Sequence, residues 1–163
     1  YGGKMKKIIL IISFILLTIS VYAGKYSSTV NAADEYGNTP LATAIYNGNI
    51  DMIKLLLKNK LDPNTITDEY YGTTLFMWAV SREDQELAKL LLKKGANINT
   101  LNYQSMSVLG YTQSSDMITF LLNNGLDPNL TDANGNTPLM LGIMRGDYSL
   151  MQLAVERGSN INV

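Results

Sequence analysis

Apolar and polar positions alternate along this chain in blocks that fit helices better than strands. In residues 39–64, TPLATAIYNGNIDMIKLLLKNKLDPN, the apolar residues Leu41, Ala44 and Ile45 recur at helical spacing; after Gly48, so do Ile53, Leu56 and Leu57. Spacings of three and four residues place side chains on one face of an α-helix. Thr39 offers a hydroxyl that can accept a backbone N–H at a helix start. Pro40 suits the first helical position, where its missing N–H has no partner in any case. Gly48 ends the first helix, and Asp62-Pro63-Asn64 closes the pair as a turn. The pattern predicts two short helices, each with one apolar face.

The same pattern returns three times. In residues 74–99, TLFMWAVSREDQELAKLLLKKGANIN, Phe76, Ala79 and Val80 take the places of Leu41, Ala44 and Ile45. Residues 104–129 are less regular: Gln104 and Ser105 stand where Thr-Pro stood, yet Asp116-Met117-Ile118 repeats Asp51-Met52-Ile53. Residues 137–162 begin cleanly again. The string GNTPL occupies both 37–41 and 135–139, and LDPN both 61–64 and 126–129. The closing asparagines Asn64, Asn99, Asn129 and Asn162 follow at steps of 35, 30 and 33. A fixed period of this size marks a repeat architecture, in which each unit buries its apolar face on its neighbours. The step of 30 is assigned to a shortened link at 100–103, which leaves the helices whole; a shortened helix is the alternative.

The string DEYGNTPLATAIYNGNIDMIKLLLKNKLDPN resembles an ankyrin repeat, with that family's D-x-x-G-x-T-P-L start, central Gly and Asn close, and DANGNTPL at 132–139 matches the start again. The resemblance covers Asp34 to Val163. It departs from the pattern in three respects: no unit has His after T-P-L, Lys60 holds a helix-ending Gly position, and Glu83 replaces the central Gly of the second unit. The resemblance implies an all-α ankyrin-repeat solenoid. Four helix-turn-helix units, about 34–66, 67–100, 101–131 and 132–163, would be joined by short β-hairpin-like finger loops. It also implies a non-catalytic module that binds a protein partner through a concave face of finger tips and first helices. Mapped onto this chain, that face holds Tyr36, Tyr70, Tyr71 and Tyr103 on the fingers, and Tyr46, Asn47, Arg82, Tyr111 and Arg145 on the first helices. Six of the ten tyrosines fall in this set. Tyrosine is stiff and amphipathic, and it is favoured at binding hot spots; the competing reading is that it packs finger against finger. Trp78, at the place of Thr43, either joins the same face or fills a gap among small neighbours.

The front of the chain reads differently. From Met5, two lysines precede an apolar run, Ile8 to Ile19, that ends in Val21-Tyr22-Ala23. This is the layout of a signal peptide, residues 5–23, cut after Ala23. The run falls short of the roughly 20 residues a membrane span needs. A retained anchor that makes the protein a membrane-tethered scaffold is the alternative, and the membrane is a partner only in that case. Residues 1–4 lie upstream of Met5 and outside the fold argument. Residues 24–33 read as a flexible lead and a vestigial repeat end. The short Lys-Lys leader and the richness in Ile, Asn and Lys point to a bacterial protein, exported to the periplasm or the cell exterior.

Composition narrows the chemistry. Without the leader, 10 basic and 14 acidic residues remain, a net charge of −4. That surface opposes phosphate backbones and argues against nucleic acid. There is no histidine and no cysteine. This excludes Ser-His and Cys-His nucleophile pairs and thiolate or imidazole metal sites. Paired carboxylates remain, Asp62 with Asp127 and Asp51 with Asp116, alongside Asp34, Asp68 and Asp132 at the finger starts. Such pairs could serve a carboxylate-dependent enzyme. Their recurrence at matched positions is better explained by turn and helix-start chemistry. No calcium loop and no Gly-rich phosphate loop is present, so the sequence offers no catalytic residue, no metal ligand set and no cofactor.

Overall fold

A computed structural model describes residues 39–162. The chain divides after Leu61 into two compact units. In the first, α1 (Pro40–Tyr46) packs on α2 (Ile50–Lys58). The Thr39 hydroxyl accepts the Ala42 N–H at 3.1 Å, with Pro40 in the first turn. Asn49 caps α2 by accepting the Met52 N–H at 3.0 Å. Leu41, Ala44, Ile53, Leu56 and Leu57 are buried; Ile45 is only partly so. Lys60 adopts φ +71°, where Gly95, Gly125 and Gly158 take φ +98°, +95° and +97° in the other repeats. A side chain in this left-handed region costs about 1–2 kcal/mol.

The second unit begins with a hairpin of β1 (Ile66–Asp68) and β2 (Thr73–Thr74), antiparallel, with Ile66 opposite Thr74 and an irregularity before Asp68. It continues through α3 (Leu75–Ser81), α4 (Gln85–Lys93), a 3-10 turn (Val108–Tyr111), α5 (Ser115–Asn123), α6 (Pro138–Arg145) and α7 (Tyr148–Glu156). The first limbs are capped by Thr74, Ser107 and Thr137, the second helices by Asp84, Ser114 and Asp147. Phe76, Leu87, Leu91, Leu109, Ile118, Leu121 and Leu150 are buried. Successive repeats stack limb on limb: α3 packs on the 3-10 turn, and α5 on α7.

The closing asparagines fasten these layers together. Asn64 accepts the Asn97 N–H at 2.8 Å and donates to the Gly95 carbonyl at 3.2 Å. Asn99 does the same to Asp127 (2.9 Å) and Gly125 (3.2 Å), and Asn129 to Asn160 (2.8 Å) and Gly158 (3.5 Å). This accounts for asparagine at the end of the units closed by Asn64, Asn99 and Asn129.

The irregular third repeat corrects the sequence reading. Ser107, not Gln104-Ser105, stands in the Thr137 place: its hydroxyl accepts the Leu109 N–H at 3.2 Å. Gln104 and Ser105 belong to the finger. Asn102 Oδ1 there accepts the N–H groups of Gln104 and Met106, both at 2.9 Å, as Asp132 Oδ1 accepts those of Asn134 and Asn136. The shortening therefore falls in the first limb, which is a 3-10 turn instead of an α-helix, and not in the link at 100–103. The caps Ser107 and Ser114 stand seven positions apart, where Thr74 and Asp84 stand ten apart. The long step of 35 has its own cause: the hairpin finger, two residues longer than the others between Asn64 and Thr74.

Candidate functional site

The second finger turns on Asp68, whose Oδ1 accepts the Tyr70 N–H at 2.9 Å and the Tyr71 N–H at 3.3 Å. The two rings meet edge to face, with centroids 4.7 Å apart and an interplanar angle of 85°. Tyr70 is 82% exposed. The third finger lies alongside. The Tyr103 N–H donates to the Tyr71 carbonyl at 2.9 Å. The Tyr103 ring covers Gly72, where a Cβ would stand 2.6 Å from ring carbons. Gly72 is thus required twice, for its φ of +70° and for this close approach. Tyr103 remains 66% exposed. Tyr70, Tyr71 and Tyr103 therefore form one aromatic surface across two fingers.

Tyr111 plays another part. It is half-buried, and its hydroxyl accepts from Asn102 Nδ2 at 2.9 Å and pairs with Thr73 Oγ1 at 3.1 Å. It joins the second finger to the third. The neighbouring Thr112 is buried and donates its hydroxyl to Glu83 Oε1 at 2.6 Å. Glu83 holds φ +55°, so its departure from the expected Gly has a reason: it trades backbone strain for a bond to the next repeat. The sequence reading missed Thr73, Asn102 and Glu83 as positioning residues. The only signal was a Glu at a glycine position.

On α3, Trp78 is half-buried, and the Arg82 guanidinium lies 5.2 Å from its ring centroid, a cation–π pair. Arg145, at the end of α6, is half-buried and donates to Ser115 Oγ at 3.3 Å. In the first unit, Tyr46 is 91% exposed, and Asn47 spends its amide on the Thr43 carbonyl at 2.9 Å. Tyr36 and the leader lie outside the described residues.

The carboxylates hold backbone. Asp62 and Asp127 each accept an N–H two residues on, from Asn64 and Asn129, at 2.9 Å. Burial alone would raise the Asp132 carboxyl. Hydrogen bonds from the Asn136 backbone and side chain and from Asn134, with the Arg145 charge, outweigh it and hold the group below its ordinary 3.8. Asp147 is lowered as well, first by the Leu150 N–H that it caps, then by Ser115. Among the described residues no cluster of three or more acidic, His or Cys side chains could hold a metal ion, and no helix is long and apolar enough to cross a membrane.

A family model for ankyrin repeats (three copies) matches residues 13–102, and a second (many copies) matches 114–155. The first match begins inside the segment read as an export leader. An ankyrin repeat-containing protein of Schizosaccharomyces pombe is 37% identical over 49 residues, 30% of this chain. The chain spans 24% of that relative's length. The crystal structure of an ankyrin repeat domain from Acinetobacter baumannii AYE is similar with a TM-score of 0.62 at 27% identity, covering 80% of this chain and 70% of its own.

Proposed function

Because the chain belongs to the ankyrin repeat family, we propose that it is an exported, non-catalytic interaction module. Its protein partner is engaged by the fingers and the exposed sides of the first helices. The observation that carries this reading is the aromatic surface of Tyr70, Tyr71 and Tyr103, held in place by backbone bonds yet open to water. Folding gains little from leaving such rings exposed, whereas binding gains from stiff rings that lose little entropy. Trp78 with Arg82 extends the set of recognition residues in the second unit; in the first unit, taken by itself, Tyr46 is the exposed candidate. Tyr111 and Arg145 contribute by holding the fingers and the repeat joint. Export rests on the leader, and an N-terminus at Gly24 in the exported protein is its test.

The binding face is tested by site-specific photocrosslinking in the source cell. A photoreactive phenylalanine at position 70 should give a discrete protein adduct. The same group at position 89, an exposed site on α4, should give none. Adducts from position 89 alone would move the site to the second helices and refute the assignment.

A further inference from the structure

The fourth repeat is the last of the described ones, and its outer side keeps the residues of an inner joint. Counted from the caps Thr74 and Thr137, Ile143 on α6 takes the place of Val80 on α3. Counted from Ser114 and Asp147, Val155 on α7 takes the place of Leu122 on α5. Ile161 stands before Asn162 as Ile98 stands before Asn99. Val80, Leu122 and Ile98 are buried, and their repeats have another stacked on them, the 3-10 turn on α3 and α7 on α5. Ile143, Val155 and Ile161 are exposed at 57%, 49% and 68%. Met151 is half-buried where Ala88 and Ile118 are fully buried. A repeat that closes an array turns a polar side to water. These positions have instead stayed apolar, as in a repeat that is covered.

Charge narrows what covers the edge. α6, α7 and their caps carry two cations and two acids, Arg145, Arg157, Asp147 and Glu156. Each is bonded within the chain: Arg145 to Ser115, Asp147 to the Leu150 N–H, Glu156 to Gln152 and Arg157 to Asn123. A charged partner meets no spare counter-charge there, and an anionic lipid surface meets no surplus of cations. A second copy of the same edge brings matching apolar residues, no net repulsion and no lone charge to strip of water.

We propose that the outer edge of the fourth repeat, Ile143, Met151, Val155 and Ile161, pairs with the same edge of a second copy about a twofold axis, giving a dimer. The contact continues repeat-on-repeat stacking beyond one chain. It shares no residue with the finger surface, so it stands or falls separately from the reading of that surface as the binding face.

The test is analytical ultracentrifugation of the full chain over roughly a thousandfold range of concentration. The mass should rise to that of two chains and stop there. Val155→Lys should raise the dimer dissociation constant roughly ten- to hundredfold, because it places an unpaired charge in an apolar contact. Ile161→Lys, at a site that follows α7, should do the same. Leu101→Lys, at an exposed apolar site outside the edge, should leave the dimer unchanged. Far-UV circular dichroism checks that each variant keeps its helices; if Val155→Lys does not, Ile161→Lys decides alone. A wild type that stays monomeric throughout overturns the proposal. Growth past two chains also overturns it, since that marks head-to-tail stacking. So does association that the two edge variants leave unchanged, or that Leu101→Lys weakens as much as they do.

Discussion

Replacing Asn99 by Ala tests whether the asparagine ladder couples the repeats. The side chain makes two bonds to the next unit, from the Asp127 N–H at 2.9 Å and to the Gly125 carbonyl at 3.2 Å. Each is worth about 0.5–1.5 kcal/mol net. Both lie at the surface, where water takes up the freed groups, so the expected loss is about 1–2 kcal/mol, the lower part of the summed range. Asn162 supplies the control. Its own N–H makes the same local bond, to Asn160 Oδ1 at 3.0 Å, as Asn99 makes to Asn97. It has no rung to a further repeat among the described residues. Urea unfolding followed by far-UV circular dichroism and by Trp78 emission gives the readout. With m near 1–3 kcal/mol/M, Asn99→Ala should move the midpoint by roughly 0.5–1 M. Because Trp78 lies in the second repeat, the two probes should also separate as the later repeats unfold first. A midpoint within about 0.1 M of wild type, or an equal shift in Asn162→Ala, would refute the coupling role.

Other expectations follow from single sites. Leu91 is fully buried, so Leu91→Ala should cost about 2–5 kcal/mol in urea unfolding; a cost under about 1 kcal/mol would mean that the interface is loose there. Glu83→Ala keeps the left-handed strain and loses the Thr112 bond, so it should cost about 1–2 kcal/mol, whereas Glu83→Gly relieves the strain and should be near neutral. Equal melting temperatures for the two variants would sink that trade-off. Asp132 and Asp147 both sit below the ordinary 3.8 when folded. The stability they contribute is therefore present above that value and lost as pH falls through the lowered one. Calorimetry should show a flat melting temperature from about pH 7 to about pH 5 and a decline below about pH 4. The decline should be shallower in Asp132→Asn, and an unchanged slope would contradict the assignment.

Much of the fold was legible because its local chemistry is written in adjacent residues. Thr39-Pro40 and Thr137-Pro138 start helices by a rule that needs no tertiary knowledge, and the capping bonds follow it. The third repeat was misread because a count of 30 residues shows that something is short without showing where. Asn102 stands for Asp and Ser105, at φ +59°, for Gly, so the finger was concealed by substitutions that preserve its hydrogen bonds. The candidate site was half legible. The tyrosines could be mapped onto fingers, but exposure depends on partners far along the chain. Tyr111 has Thr73 and Asn102 at its hydroxyl, whereas Tyr103 lies over Gly72 and stays exposed. A sequence lists these residues without bringing them together.

The short limb of the third repeat bears on how such a chain can vary. Its caps lie three positions closer than those of its neighbours. Three residues are nearly one helical turn, so their removal shortens the limb while turning the remaining side chains only partly out of phase. Val108 and Leu109 stay buried, and α5 keeps its place on α7. Deletions of this size are therefore the length changes the architecture absorbs most readily, and the first limbs are where related chains are expected to differ in length. The second helices and their closing asparagines set the spacing that such edits must respect.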